Sequence, residues 1–323
     1  MKKILIISSN RLGDCILTSG LINHCIKTFC NAEITFACGA LPGELFKYST
    51  NIKKIIVIKK KKNSMHWFSF WPKVFFIWWD TIFDLRGTGI SYFLFSKKRV
   101  IRPFFKEKKK KLHKVISISR YFGKRVIHPN LEVSNKEKKN AKIDKSLYSS
   151  KNIIAIAPGA NWAAKTWPKE NFILLIKKLH KNRNFRDSIF MLIGSKDEYK
   201  IGAFIKSFCE KENVQNLIGK PKLIELYFFL KRCKLFLGND SGLMHLSALV
   251  GIPTIGLFGP SDKDQYHPWG KKTLAISTPE SPEILMGNKN FSHKDSINLM
   301  QTLSVESVVN QTVSFFEDLN NAK

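Results

Sequence analysis

The segment Gly238-Asn239-Asp240-Ser241-Gly242 follows apolar Leu235-Phe236-Leu237 and runs on through Leu243-Met244-His245. The order reads as a buried strand, a tight turn and a helix start. The first amides of a helix have no intrahelical acceptor and stand at the positive end of its dipole, so the ligand they suit is an anion, above all a phosphate. A second such loop, Phe258-Gly259-Pro260-Ser261-Asp262, closes the run beginning at Thr254. Two neighbouring strand ends would then open on one place, as ligand crevices do in open α/β sheets.

Three further loops carry side chains able to do chemistry. Ile4-Leu5-Ile6-Ile7 empties into Ser8-Ser9-Asn10-Arg11-Leu12-Gly13-Asp14, where a single Gly13 lacks the Gly-x-Gly-x-x-Gly spacing of a dinucleotide site. Asp14 reads either as a helix N-cap or as a general base in a cleft. Ile153 to Ala157 leads into Pro158-Gly159-Ala160-Asn161-Trp162-Ala163-Ala164-Lys165-Thr166-Trp167-Pro168. Lys165 is either a point charge for phosphate or a solvated lysine, and Pro168 suits a first helical turn. Arg86, after Ile82 to Leu85, either faces an anionic partner or pairs with Asp84.

The elements that must position these loops form a βαβ rhythm. Runs at Ile4–Ile7, Ile34–Ala37, Ile55–Ile58, Ile82–Leu85, Ile153–Ala157, Ile189–Ile193, Leu235–Leu237 and Thr254–Phe258 alternate with helix-length segments, which predicts parallel sheets. Polar residues from Asn135 to Asn152 place a domain boundary around 130–150 and divide the chain into 1–145 and 146–323. Pro282, Gly287, Asn288 and Asn290 predict a loop. A last helix follows, with Ser304 as N-cap and Val305, Val308, Val309, Val313 and Phe316 on one face.

With 323 residues, 44% of them hydrophobic, the chain can bury two cores. Its charge is uneven: residues 1–150 hold 31 Lys and Arg against 9 Asp and Glu, and the remainder 23 against 16. Either the first half meets an anionic partner or the excess is a habit of a Lys-rich composition. Six cysteines without Cys-x-x-Cys or a His partner at zinc spacing suggest a reducing compartment, with neither a structural metal nor a disulfide framework; no cofactor is expected. The start, Met1-Lys2-Lys3 and a four-residue apolar run, reads as a strand, not an export signal. Aromatic residues 67–79, broken by Pro72 and Lys73, are too few to span a bilayer. They suit a helix packed on the sheet better than an interfacial anchor flanked by lysines 59–62 and 108–111.

Taken together, Arg11-Leu12-Gly13-Asp14, Pro158-Gly159-Ala160 with Lys165-Thr166-Trp167-Pro168, Asn239-Asp240-Ser241-Gly242 with His245, and Phe258-Gly259-Pro260-Ser261-Asp262 resemble glycosyltransferase family 9, the lipopolysaccharide heptosyltransferases. The similarity runs over nearly the whole chain in the right order. It implies an α/β fold of the GT-B type, two Rossmann-like domains facing a cleft, with an acceptor-binding domain first and a nucleotide-sugar-binding domain second. The implied reaction moves heptose from ADP-heptose to a Kdo-lipid A acceptor, with inversion and without a metal. By the resemblance Asp14 is the general base and Lys165 meets the diphosphate. Asp240, Ser241, Gly242 and His245 form the nucleotide-binding turn, and Glu198 holds the ribose, although an acid there also suits a helix start. Ala160 and Asn161 stand where relatives often carry hydroxyls beside the phosphates, which leaves the donor sugar open. Arg11 and Arg86 are candidates for the acceptor.

The resulting expectation is a cytoplasmic glycosyltransferase able to sit on the inner-membrane surface, its partners a nucleotide sugar and an anionic glycolipid. One rival is a family member using another nucleotide sugar or acceptor. A second is a non-catalytic binder of nucleic acid or anionic lipid. Nucleic acid is disfavoured because the basic residues are not interleaved with a known binding motif.

Overall fold

The computed structural model describes residues 1–60, 62–101, 112–123, 125–140, 152–287 and 298–322. The lysine run 108–111, most of the polar stretch at the domain boundary, and Asn288 and Asn290 lie outside the described residues. The chain divides into two compact units, Met1–Ala141 and Lys142–Lys323.

The first unit is a parallel five-stranded sheet: β1 (Lys2–Ile7), β2 (Ala32–Cys38), β3 (Lys54–Val57), β4 (Trp79–Asp84) and β5 (Ser96–Ile101), in the order β3-β2-β1-β4-β5. Ile7 registers with Ala37 on one side and Asp84 on the other, so β1, β2 and β4 end together. The crossover from β3 to β4 contains a short helix, His66–Phe70, and a 3-10 turn, Trp71–Lys73. Phe70, Val74 and Trp79 are buried in one cluster with Leu5, Ile7, Ile56, Ile58 and Ile82. Trp67, Trp71, Phe75 and Ile77 pack against it, so most of the aromatic segment lies on the sheet, with Phe68, Phe76 and Trp78 exposed. Among the described residues, no helix is long and apolar enough to cross a membrane.

The second unit is a parallel six-stranded sheet: β6 (Ile153–Ala157), β7 (Ile189–Leu192), β8 (Val214–Asn216), β9 (Leu235–Asn239), β10 (Thr254–Phe258) and β11 (Thr273–Ser277), in the order β11-β10-β9-β6-β7-β8. β6, β9 and β10 are buried at every position, so both faces of the sheet are covered there and these strands read as apolar runs. The terminal helix Val305–Asn321 is capped as expected, Ser304 accepting from the Ser307 amide. It buries Val305, Val308 and Phe316, the last against Phe185 with ring centroids 4.9 Å apart.

Two local expectations are corrected. Pro282 does not begin a loop: Ser281 caps a five-residue helix, Pro282–Met286, whose first position proline fits because the missing N–H would have no intrahelical acceptor. Pro168 stands one residue ahead of its helix, Lys169–Lys181, in an extended conformation.

Candidate active site

Both sheets reverse their winding beside their first strand, between β1 and β4 in one unit and between β6 and β9 in the other. At such switch points the loops leaving adjacent strand ends diverge and open a crevice. Every site residue singled out from the sequence except Glu198 lies on or next to one of these loops.

In the second unit the loop after β6 carries Lys165 at the end of a 3-10 turn, Ala163–Lys165. Its Nζ donates to Asp240 Oδ2 at 3.0 Å, and Asp240 follows directly after β9. The two side chains are only 15% and 10% exposed. His245 Nε2 stands 3.9 Å from the other carboxylate oxygen, and Ser261 of the β10 loop also hydrogen-bonds Asp240. Burial opposes ionisation of Asp240, but Lys165 foremost, then His245 and Ser261, outweigh it and hold the carboxyl below the usual carboxylate range. Lys165 thus has one donor committed and two left for an incoming anion.

Ser241 precedes the helix Gly242–Leu249 as its N-cap, yet its side chain makes no capping bond. Its Oγ is shielded from solvent and has no hydrogen-bond partner. A cation, a spare hydroxyl and a helix N-terminus therefore adjoin the same turn, a donor set suited to a phosphate group. Asn161 lies on the loop of Lys165 and is exposed.

Glu198 occupies the next strand end, after β7. It closes a capping box, Oε2 accepting from the Ser195 amide at 2.6 Å, so the helix-start reading describes one of its oxygens. Its carboxylate also leans over the β6 loop: a methyl group at Gly159 would stand 2.1 Å from Oε1.

In the first unit Asp14 is the third residue of the helix Leu12–Thr18, whose N-cap is Arg11, so the N-cap reading of Asp14 is corrected. Its Oδ2 accepts from Ser9 Oγ at 2.9 Å, and the same hydroxyl accepts from the Arg11 amide at 3.1 Å. The Arg11 side chain projects into solvent. Arg86, at the end of β4, does not pair with Asp84 through its guanidinium. Asp84 is fully buried and accepts from the amides of Arg86, Gly87 and Thr88 and from the Thr88 hydroxyl. That turn aims the guanidinium over the Trp67 ring, 5.1 Å from its centroid, and toward Asn10 Oδ1 at 3.4 Å. Burial lowers the Arg86 pKa against the opposing pull of Asp84, the mark of a cation held partly away from water.

Four positioning groups stand in segments that the sequence singles out, but their roles are not legible there: Ser9, Trp67, Ser261 and Asn239. Asn239 is fully buried, its Nδ2 donating to Pro158 O at 2.8 Å and its Oδ1 accepting from the Trp167 amide at 3.1 Å. One side chain thereby clamps both ends of the loop that presents Lys165. Its signal was a polar residue closing an apolar run.

Two parallel α/β units, the second with a phosphate-ready turn at its switch point, define a Rossmann-like protein of the GT-B class. The model of glycosyltransferase family 9 (heptosyltransferase) matches residues 87–293, and the chain belongs to that family. The match includes Asn161, Lys165, Glu198 and Asp240 to His245; Arg11, Asp14 and Arg86 precede it. Lipopolysaccharide heptosyltransferase 2 of Salmonella typhimurium is 33% identical over 155 residues, 47% of this chain and 43% of that protein. The alignment thus spans less than half the length of that relative. Lipooligosaccharide heptosyltransferase 2 of Campylobacter jejuni serotype O:2 is 28% identical over 284 residues, 85% of this chain and 86% of that protein. The solved Escherichia coli ADP-heptose lipopolysaccharide heptosyltransferase II is similar in fold, with TM-score 0.73 at 21% identity over 99% of this chain and 100% of that one. The expected fold class and family are borne out.

Proposed function

We propose that this chain is an inverting, metal-independent glycosyltransferase that moves heptose from ADP-heptose to the Kdo-lipid A inner core of lipopolysaccharide at the cytoplasmic face of the inner membrane. The observation that carries the reading is the buried Lys165–Asp240 pair beside the helix starting at Gly242. That the relatives are heptosyltransferases supports the sugar, and that the similar E. coli protein is an ADP-heptose heptosyltransferase supports ADP as its carrier.

In this reading the second unit holds the donor. Lys165, Ser241 and the first amides of Gly242–Leu249 take the diphosphate, and Glu198 takes the ribose. Asp240 positions Lys165, and His245 supports Asp240. As the acceptor hydroxyl oxygen bonds to the anomeric carbon, the bond from that carbon to the diphosphate oxygen breaks. ADP leaves with the electron pair, and the hydroxyl proton passes to Asp14. Attack opposite the leaving group inverts the centre. Charge grows on the diphosphate as it departs, where Lys165 stabilises it most. Arg86 and Arg11 supply cations for an anionic acceptor.

The test is transfer to a Kdo-lipid A acceptor from ADP-heptose and from a panel of other nucleotide sugars, with and without EDTA, using Asp14→Asn as control. Transfer from ADP-heptose that survives EDTA and is lost in the variant is the expected result. Preference for another sugar would overturn the donor assignment and point to Ala160 and Asn161.

A further inference from the structure

We propose that an aromatic face of the first unit docks on the surface of a bilayer containing anionic phospholipid. Phe76 is 84% exposed, Phe93 70% and Trp78 65%, although residues of this kind are ordinarily covered. They form one patch. Phe75 meets Phe76 and Phe95 at 5.1 Å each, Trp78 stacks on Phe95 at 6.3 Å, and Trp71 Nε1 donates to Phe93 O at 3.3 Å. Contiguous exposed apolar surface of this sort marks an interaction site.

The patch stands on a fixed base. Phe70, Val74 and Trp79, interleaved with the exposed rings, are buried against the sheet, and Trp79 Nε1 is bonded to Val74 O at 3.0 Å. The alternation between the two sets is therefore imposed by packing. Phe70, Val74 and Trp79 fill the core, Trp67, Trp71, Phe75 and Ile77 pack on it, and Phe68, Phe76 and Trp78 are held outward.

Charge identifies the occupant. Residues 51–100 contain eleven Lys and Arg and only two acids, Asp80 and Asp84. Neither acid offsets the excess at the patch: Asp80 accepts from Lys2 Nζ and the Lys3 amide, both at 2.9 Å, and Asp84 is buried among backbone amides. Lys54, Lys59 and Lys73 line an open cavity of ≈ 530 Å³ with Ser69. Lys73 lies in the same 3-10 turn as Trp71, so the cavity adjoins the aromatic patch. Aromatic rings at headgroup depth beside lysines that meet lipid phosphates are the pattern of a surface-bound protein. A single-stranded nucleic acid stacks successive bases on ring faces laid out along a basic groove. Here the rings cluster with one another, Phe76 edge-on to Phe75 and Trp78 stacked on Phe95.

This inference does not rest on the sugar-transfer reading and is tested without substrate. The full chain is floated with vesicles of phosphatidylcholine alone and of phosphatidylcholine mixed with phosphatidylglycerol, at low and moderate salt. The expected result is binding to the mixed vesicles, weakened by salt. The triple variant Phe76→Ser, Trp78→Ser, Phe93→Ser should bind roughly tenfold more weakly or worse, with an unchanged melting curve. The triple variant Lys54→Gln, Lys59→Gln, Lys73→Gln should lose the preference for phosphatidylglycerol. Should the aromatic variant fail to fold, Phe76→Ser alone, with quenching of tryptophan emission by brominated lipid in the unaltered chain, decides the matter. Equal binding to both vesicles, unchanged flotation of a folded aromatic variant, or absence of quenching would overturn the proposal. So would failure to bind vesicles together with a concentration-dependent dimer, or a complex with single-stranded nucleic acid, that the aromatic substitutions abolish.

Discussion

Replacing Asn239 by alanine separates a clamp from a bystander. The side chain is fully buried, and its loss leaves two buried backbone groups, the Trp167 amide and the Pro158 carbonyl, without the partners they have at 3.1 and 2.8 Å. Each stranded group costs about 1–3 kcal/mol, so the pair costs about 4 kcal/mol in the middle of the range. A unit of this size loses about 2–4 °C of melting temperature per kcal/mol, which gives a fall of about 8–16 °C. The measurement is thermal unfolding by circular dichroism, with ADP affinity by calorimetry below the transition. Affinity should also fall, because the loop between the clamped ends presents Lys165. Asn239→Asp sharpens the test. Its carboxylate still accepts from Trp167 but sets a negative oxygen against Pro158 O, raising the folded-state pKa. The penalty is then full at neutral pH, shrinks as pH falls through that raised value, and is gone below about 4, where both states are protonated. A melting temperature for Asn239→Ala within about 2 °C of the unaltered chain would refute the clamp. So would an aspartate variant as stable as asparagine at pH 7.

Asp14→Asn should lower turnover by roughly 10² to 10⁴ while ADP affinity stays unchanged, measured by transfer kinetics and calorimetry. Ser9→Ala, which removes the 2.9 Å bond to Asp14, should act in the same direction by a smaller factor. Lys165→Ala should weaken ADP binding and also destabilise the fold by about 3–5 kcal/mol, because Asp240 is left buried without its principal cation. A loss of stability with unchanged ADP affinity would remove Lys165 from the phosphate site. Since the folded-state pKa of Asp240 is lowered, its contribution is complete above the ordinary carboxylate pKa of about 4 and disappears as pH falls through the lower folded value. Stability curves of Lys165→Met and the unaltered chain should therefore converge in acid. Gly159→Ala drives a methyl group into Glu198 and should lower both stability and ADP affinity; adding Glu198→Ala should restore the stability alone.

Strands were legible where both faces are covered. The eight expected from the sequence are found within a few residues of their expected limits, and the three that were missed, β5, β8 and β11, are all edge strands. An edge strand is paired on one side only and need not be apolar. β5 reads Ser-Lys-Lys-Arg-Val-Ile, and β8 is three residues long. The packing of the aromatic segment on the sheet was legible, but not which of its rings stay outside. Its composition resolves into buried and exposed sets only once the sheet beneath it is known.

The site was legible in its loops and illegible in its couplings, for a physical reason. A strand end followed by Gly, Asp or Ser announces a ligand-facing turn from local chemistry, which marks the loops of Asp14, Lys165 and Asp240; the part given to each side chain came from the resemblance to glycosyltransferase family 9. What sets the charge state of Asp240 and the reach of Lys165 is contact across 75 residues of chain, created when β6 and β9 become neighbours. Asn239 illustrates the difference. In sequence it is the polar end of an apolar strand, where an unpartnered amide would be costly, so its presence implies partners without naming them. Parallel pairing of β6 with β9 brings the Pro158 carbonyl and the Trp167 amide to it. The residue that holds the Lys165 loop is thus recognisable as buried and polar from the sequence, and as a clamp only from the strand order.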